Sequence, residues 1–153
     1  MGPRLRRYLM STITRTPAPL ITRVWRGAIA GIGGGIVFGI LMAMMGMLPM
    51  IAMMVGSESA VVGMAVHLVI SAGVGLGFGV LAGPLTARLG MLLGAGAVYG
   101  MVWWVLGPLV LMPAMMGMPL FTVDQTAMMS LMGHVIYGLA TAGAFYALSR
   151  SDT

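Results

Sequence analysis

The chain has 153 residues, of which 59% are hydrophobic and only 7% charged. A water-soluble domain carries about 25% charged residues, so this composition excludes one, and a mean hydropathy of +1.02 points to a single-domain membrane protein. Cysteine is absent, which excludes disulfides, cysteine-ligated zinc, iron–sulfur clusters and thiol catalysis.

The chain begins with a basic stretch. Every basic residue is an arginine, and Arg4, Arg6, Arg7, Arg15, Arg23 and Arg26 all precede the first long apolar run. The pI near 10.8 would suit a nucleic-acid binder, but arginines clustered beside an apolar stretch mark the cytoplasmic side of a membrane. No nucleic-acid partner is expected. Residues 1–26 therefore read as a basic cytoplasmic arm. It is too long for the basic region of a signal peptide, and the run behind it has full span length. Leu5, Tyr8 and Leu9 either place a short interfacial helix there or lie in a disordered arm.

A membrane-spanning helix needs about 20 apolar residues. Four such stretches follow, at 27–48, 60–82, 91–112 and 125–148, and residues 149–153 form a tail. The turn at 83–90 carries Arg88 and the tail region carries Arg150, whereas Glu58 and Asp124 fall on the other side. The positive-inside rule then places both termini in the cytoplasm. The segments 49–59 and 113–124 are unusually apolar or proline-rich. They read as kinked helix extensions or as short re-entrant pieces, which need cover from protein or a wet cavity.

The two halves, about 27–82 and 91–148, resemble each other. Val37-Phe38-Gly39 matches Val98-Tyr99-Gly100 in the first helix of each half. In the second helix, His67 precedes Phe78 by the same interval that separates His134 from Phe145. Two spans per repeat keep the halves in one orientation, related by an axis along the membrane normal. The expected fold is all-α, a transmembrane four-helix bundle built from two parallel two-helix repeats. Gly27, Gly31, Gly35 and Gly39 recur every four residues, as do Gly75, Gly79 and Gly83, and Gly90, Gly94, Gly96 and Gly100 line the third helix. Such rows let helix backbones approach in lipid, where the hydrophobic effect cannot drive association. Gly33-Gly34-Gly35 is no phosphate loop, since no strand precedes it and no lysine follows.

His67 and His134 are the only histidines. His67 lies in a row with Ser71, Gly75 and Gly79, and His134 in a row with Gly138 and Ala142. Residues four apart share a helix face, so both should aim into the bundle at matching depth. An ionisable residue inside a span is a functional-site candidate. One reading has each histidine bonding a backbone carbonyl or Ser71 and simply holding helices together. Another makes the pair a cofactor site. Two imidazoles can ligate a haem iron, one can hold a chlorophyll-type pigment, and Gly63, Gly133 and Gly138 would leave room for a macrocycle. A proton relay is a third.

The chain holds 19 methionines. Those from Met42 to Met54 and from Met112 to Met132 cluster towards the outer ends of the helices. Thioethers with imidazole suit Cu(I), with Met44, Met45, Met115 and Met116 as the candidate metal ligands. The plainer reading is flexible apolar filler, and no cofactor at all is equally compatible. Ser57-Glu58-Ser59 and Asp124 read as helix N-terminal caps. Trp25 beside Arg26 reads as an interfacial anchor, and Trp103-Trp104, deeper in the span, faces a partner or ligand. No nucleophile motif is present, so no enzymatic activity is expected.

At His134-Val-Ile-Tyr-Gly138, preceded by Tyr99-Gly100, Trp104 and Pro113, the sequence resembles a family of small bacterial four-span integral membrane proteins of unknown function. The resemblance covers residues 27–148. It implies the four-span fold and a bacterial inner membrane, and transfers no activity or site residue. The sequence thus yields three functional readings. One is a non-catalytic membrane binding protein or small accessory subunit with a site at the histidine pair. The second is a Cu(I)-handling or transport protein. The third is a haem- or pigment-bearing electron-transfer subunit. Expected partners are membrane lipid and other membrane subunits or a second copy of the chain.

Overall fold

Pro19 opens the first helix, a position where its missing amide hydrogen costs nothing, and α1 runs Leu20–Met44. The computed structural model describes residues 18–150. Arg4, Arg6, Arg7 and Arg15, the proposed interfacial helix around Leu5, Tyr8 and Leu9, and residues 151–153 lie outside the described residues. The first helix thus starts at Leu20, ahead of the expected Gly27. Arg23, Trp25 and Arg26 ride on its opening turns, because long arginine stems can follow a helix surface and keep the charge at the polar boundary.

Helix α1 stops at Gly46, whose φ of +68° is a left-handed conformation that suits a residue without a Cβ. A short helix α2 (Leu48–Met53) follows, with Pro49 in its first turn. It leads to α3 (Ala60–Ala82). A tight turn at Gly83–Leu85 reverses the chain into α4 (Leu89–Leu106). Pro108 cannot donate to the carbonyl four residues back. The helix accommodates it by widening into a π-type turn, Gly107–Leu111, and continues as α5 (Met112–Met116). Segment 113–124 therefore begins as a kinked extension of the third span. Gly117, also at φ +68°, ends it. The loop folds back, with Phe121 N–H donating to Leu109 O at 2.9 Å. Asp124 Oδ1 accepts from Ala127 N–H at 2.8 Å and caps α6 (Gln125–Arg150). Its counterpart Glu58 makes no such bond; Ser57 Oγ accepts from Ser59 N–H instead, at 3.2 Å.

Four helices are long and apolar enough to cross a membrane: Leu20–Met44, Ala60–Leu85, Leu89–Met116 and Gln125–Arg150. The protein is an all-α, multi-pass membrane protein built as a four-helix bundle. One end carries Arg23, Arg26, Arg88 and Arg150; the other carries the methionine clusters.

Glycine rows set the order of the helices. A Cβ on Gly31 would meet Ser71 O and approach Gly75 Cα at 2.6 Å, and a Cβ on Gly75 would approach Gly31 Cα at 2.7 Å, so α1 and α3 cross backbone to backbone. Gly96 and Gly138 do the same for α4 and α6, each facing the other's carbonyl oxygen. The Gly33-Gly34-Gly35 run gives α1 a second smooth face: Gly34 sits against Thr141 and Tyr137 of α6 while Gly35 sits against Ser71 of α3. Helices α1 and α6 are thus the two inner members of the packing order α3–α1–α6–α4, and α3 and α4 meet only along a thin seam. Tyr99 closes that seam, its hydroxyl donating to Val74 O at 2.7 Å. Gly90 and Gly94 differ from the other rows: nothing lies where their Cβ atoms would be.

Two apolar clusters fill the interior. Towards the basic end Ala30, Phe78, Ala82, Leu92, Ala142 and Phe145 pack together, with Phe78 and Phe145 edge to face at 5.8 Å. Towards the methionine end the cluster is Phe38, Met42, Leu48, Val74 and Tyr137.

Candidate functional site

Both histidines reach the second of these clusters. His67, on α3, is 7% exposed. Its Nε2 lies 3.0 Å from Gly35 O on α1. A carbonyl oxygen can only accept, so Nε2 carries the hydrogen and, in the neutral ring, Nδ1 keeps the lone pair. His134, on α6, is half-buried. Its Nδ1 lies 2.8 Å from Ser130 O, one turn back on the same helix. By the same logic Nδ1 carries the hydrogen and Nε2 keeps the lone pair. The Ser130 hydroxyl is also within 3.3 Å of Nδ1.

Phe38 of α1 joins the two. Its ring meets the His67 imidazole edge-on at 5.4 Å between centroids and the His134 imidazole at 4.9 Å. Phe38 fits because Gly133, beside His134, has no side chain; a Cβ there would run into the phenyl ring. Both histidines therefore occupy one neighbourhood, as their positions in the small-residue rows predict, with an apolar ring shared between them. Tyr137 completes the wall, its hydroxyl donating to Ser71 O at 2.9 Å across to α3.

The free Nε2 of His134 faces the discontinuity in the third span. A Cβ on Gly107, the first residue of the widened turn, would sit 3.9 Å from that nitrogen. Trp104, one turn earlier, donates from Nε1 to Ala127 O at 2.8 Å and anchors α4 to the start of α6. Trp103 meets Tyr99 edge to face, 6.1 Å between ring centroids. These tryptophans thus engage this chain's own helices, while Trp25 is largely exposed, as an interfacial anchor would be.

A macrocycle does not fit this packing. The space expected beside the small residues is filled by protein: Gly63 abuts Leu48 O, Gly133 abuts Phe38 and Gly138 abuts Gly96 O. The residues around the pair offer no slot for a haem or a chlorophyll-type ring.

The four candidate metal ligands are less convergent. Met44 ends α1 at 80% exposure, and Met115 lies in α5 at 62%. Met45 and Met116 beside them are half-buried. Among the described residues no three His, Cys, Asp or Glu side chains gather where a metal could be held. One methionine beside His67 lies outside the clusters that the sequence singles out. Met64 Sδ and His67 Cδ2 flank Gly39, at 2.7 Å and 3.3 Å from where its Cβ would be. Their spacing of three residues on one helix was the available signal. Met64 also lines an apolar surface hollow of about 430 Å³ with Leu48, Ala60, Val61, Ala65 and Leu68.

The fold and this cluster define a multi-pass helical membrane protein with two interior imidazoles. No family model matches the chain. No curated protein and no solved structure matches it either.

Proposed function

We propose that this is a non-catalytic integral membrane binding protein, free-standing or a small subunit of a larger assembly, with its ligand site at the His67–His134 cluster. The observation that carries the reading is the hydrogen bonding of the rings. Each imidazole commits one nitrogen to a backbone carbonyl, which fixes its tautomer and leaves one lone pair. Such an oriented ring is how proteins prepare histidine to bind a metal or a donor group. His134 Nε2, beside Gly107, is the better placed of the two.

Titration of the purified protein in detergent with Zn(II) and Cu(I), followed by calorimetry, tests this. One equivalent bound, and lost in His134→Ala, is the expected result. Binding that is unchanged in His134→Ala would overturn the role of that nitrogen, and no binding of either ion would overturn the metal-site form of the proposal. Soft-metal handling is a second reading, favoured by Met64 beside His67 rather than by Met44, Met45, Met115 and Met116; a Cu(I) preference lost in Met64→Leu would support it.

The two-repeat origin belongs to the same proposal. Gly35 against Ser71 and Gly96 against Gly138 are matching contacts when Gly39 is aligned with Gly100 and His67 with His134. The matched Phe78 and Phe145 touch, as residues near a two-fold axis do. A bacterial inner-membrane location with both termini cytoplasmic rests on the arginines gathered at one end. Cysteine labelling at position 88 from outside intact cells would contradict it.

A further inference from the structure

One end of the bundle gathers the arginines among the described residues. Arg23, Arg26, Arg88 and Arg150 lie there, while the acids among the described residues, Glu58 and Asp124, lie at the opposite end. Arg23 is the most constrained. Its side chain is laid across Gly83, at the start of the turn between α3 and α4. A Cβ at that glycine would meet Nη1 at 2.6 Å and Nε at 2.8 Å. The Nε is buried and has no hydrogen-bond partner, and a buried charged donor left unpaired is costly. On the same turn Pro84, Leu85, Ala87, Arg88 and Met91 line a cavity of about 230 Å³. Its walls are apolar apart from one exposed guanidinium, and it sits where a helical hairpin meets the membrane surface.

We propose that this turn is a binding site for one anionic phospholipid. The phosphate is held by Arg88, with Arg23 adding positive charge from the α1 side of the turn. The glycerol and first acyl carbons lie against Leu85 and Met91. The pairing follows from charge complementarity and from the amphiphilic lining: a guanidinium binds a phosphate through paired hydrogen bonds, and the apolar wall suits the chain attached to it. A free phosphate would satisfy only the first of these. The site lies at the far end from the histidines, so it stands whether or not they bind a ligand.

Native mass spectrometry of the full chain in detergent tests it, with phosphatidylglycerol, phosphatidylcholine and inorganic phosphate as separate probes. The wild type should retain one phosphatidylglycerol and no phosphatidylcholine. Arg88→Gln should weaken retention about fivefold, the usual effect of one basic residue on anionic-lipid binding, and Arg88→Lys should keep most of it. Arg23→Gln should weaken it similarly. Arg150→Gln, at the same end but away from the cavity, should leave it unchanged. Because Arg88 is exposed, its variants keep the fold even if Arg23→Gln does not. Equal retention by wild type and Arg88→Gln, equal retention of phosphatidylcholine, or full displacement of the lipid by inorganic phosphate would each overturn the proposal.

Discussion

Helix α1 meets α3 much as α4 meets α6, glycine against backbone, yet the histidine of each pair is held differently. His67 reaches across the crossing to Gly35 O on the neighbouring helix. His134 turns back to Ser130 O on its own helix. A cross-helix bond stabilises the packing of two elements; an intrahelical bond orients the ring and ties nothing together. The same residue type at matched positions is thus a clamp in one half and an oriented, uncommitted base in the other. The surroundings agree with this division. His67 is closed in by Gly39, Met64 and Phe38, while the free edge of His134 looks onto the interrupted helix at Gly107.

The largest expected effect comes from breaking the crossing that supports the clamp. Gly31→Leu would drive a side chain into Ser71 O and Gly75 Cα. The α1–α3 contact cannot survive in its present form, and a loss of folded protein in detergent is the predicted outcome. The same substitution at Gly90, where nothing lies near, should be tolerated. Equal stability of the two variants, measured by thermal unfolding, would contradict the helix order described above.

The histidines come next. His67→Ala removes an interhelical hydrogen bond and a buried ring, for a loss of about 2 kcal/mol. His134→Ala removes only an intrahelical bond and part of an edge contact, for about 1 kcal/mol. The order of the two losses is the sharper prediction. A double variant should also cost more or less than the sum, because both rings rest on Phe38. Chemical denaturation of the single and double variants checks both points.

The smallest effect is expected at the methionine end. Replacing Met44, Met45, Met115 and Met116 together by leucine keeps size and apolarity, and the outward-facing Met44 and Met115 have little packing to lose. Stability within about 0.5 kcal/mol of wild type is expected. A marked loss of Cu(I) binding in this variant, with Met64 intact, would move the soft-metal site from Met64 to these four.

Much of this was legible in the residues. Span length and hydropathy specify four membrane helices, and the four-residue glycine rows identify the faces that cross. They also put His67 and His134 inside the bundle. What periodicity could not supply is which ring nitrogen is engaged, since that depends on a rotamer and on where a neighbouring carbonyl falls. Phe38 was read only as a repeat marker, because its position between the histidines follows from the missing side chain of Gly133 on another helix. Gly35 belongs to the row read from the sequence, but its neighbour Gly34 serves a second face, so α1 packs against both α3 and α6. Segment 113–124 reads as either a kinked extension or a re-entrant piece; the choice depends on how the backbone takes up Pro108, which it absorbs in a widened turn before continuing as helix.

The contrast between the two histidines is best tested by the protonation of their ring nitrogens. Nitrogen NMR of the protein with labelled histidine, assigned through the two single alanine variants, reports which nitrogen of each ring carries hydrogen. The account predicts a neutral ring protonated at Nε2 for His67 and a neutral ring protonated at Nδ1 for His134. The same tautomer in both rings, or His134 protonated at Nε2, would contradict it.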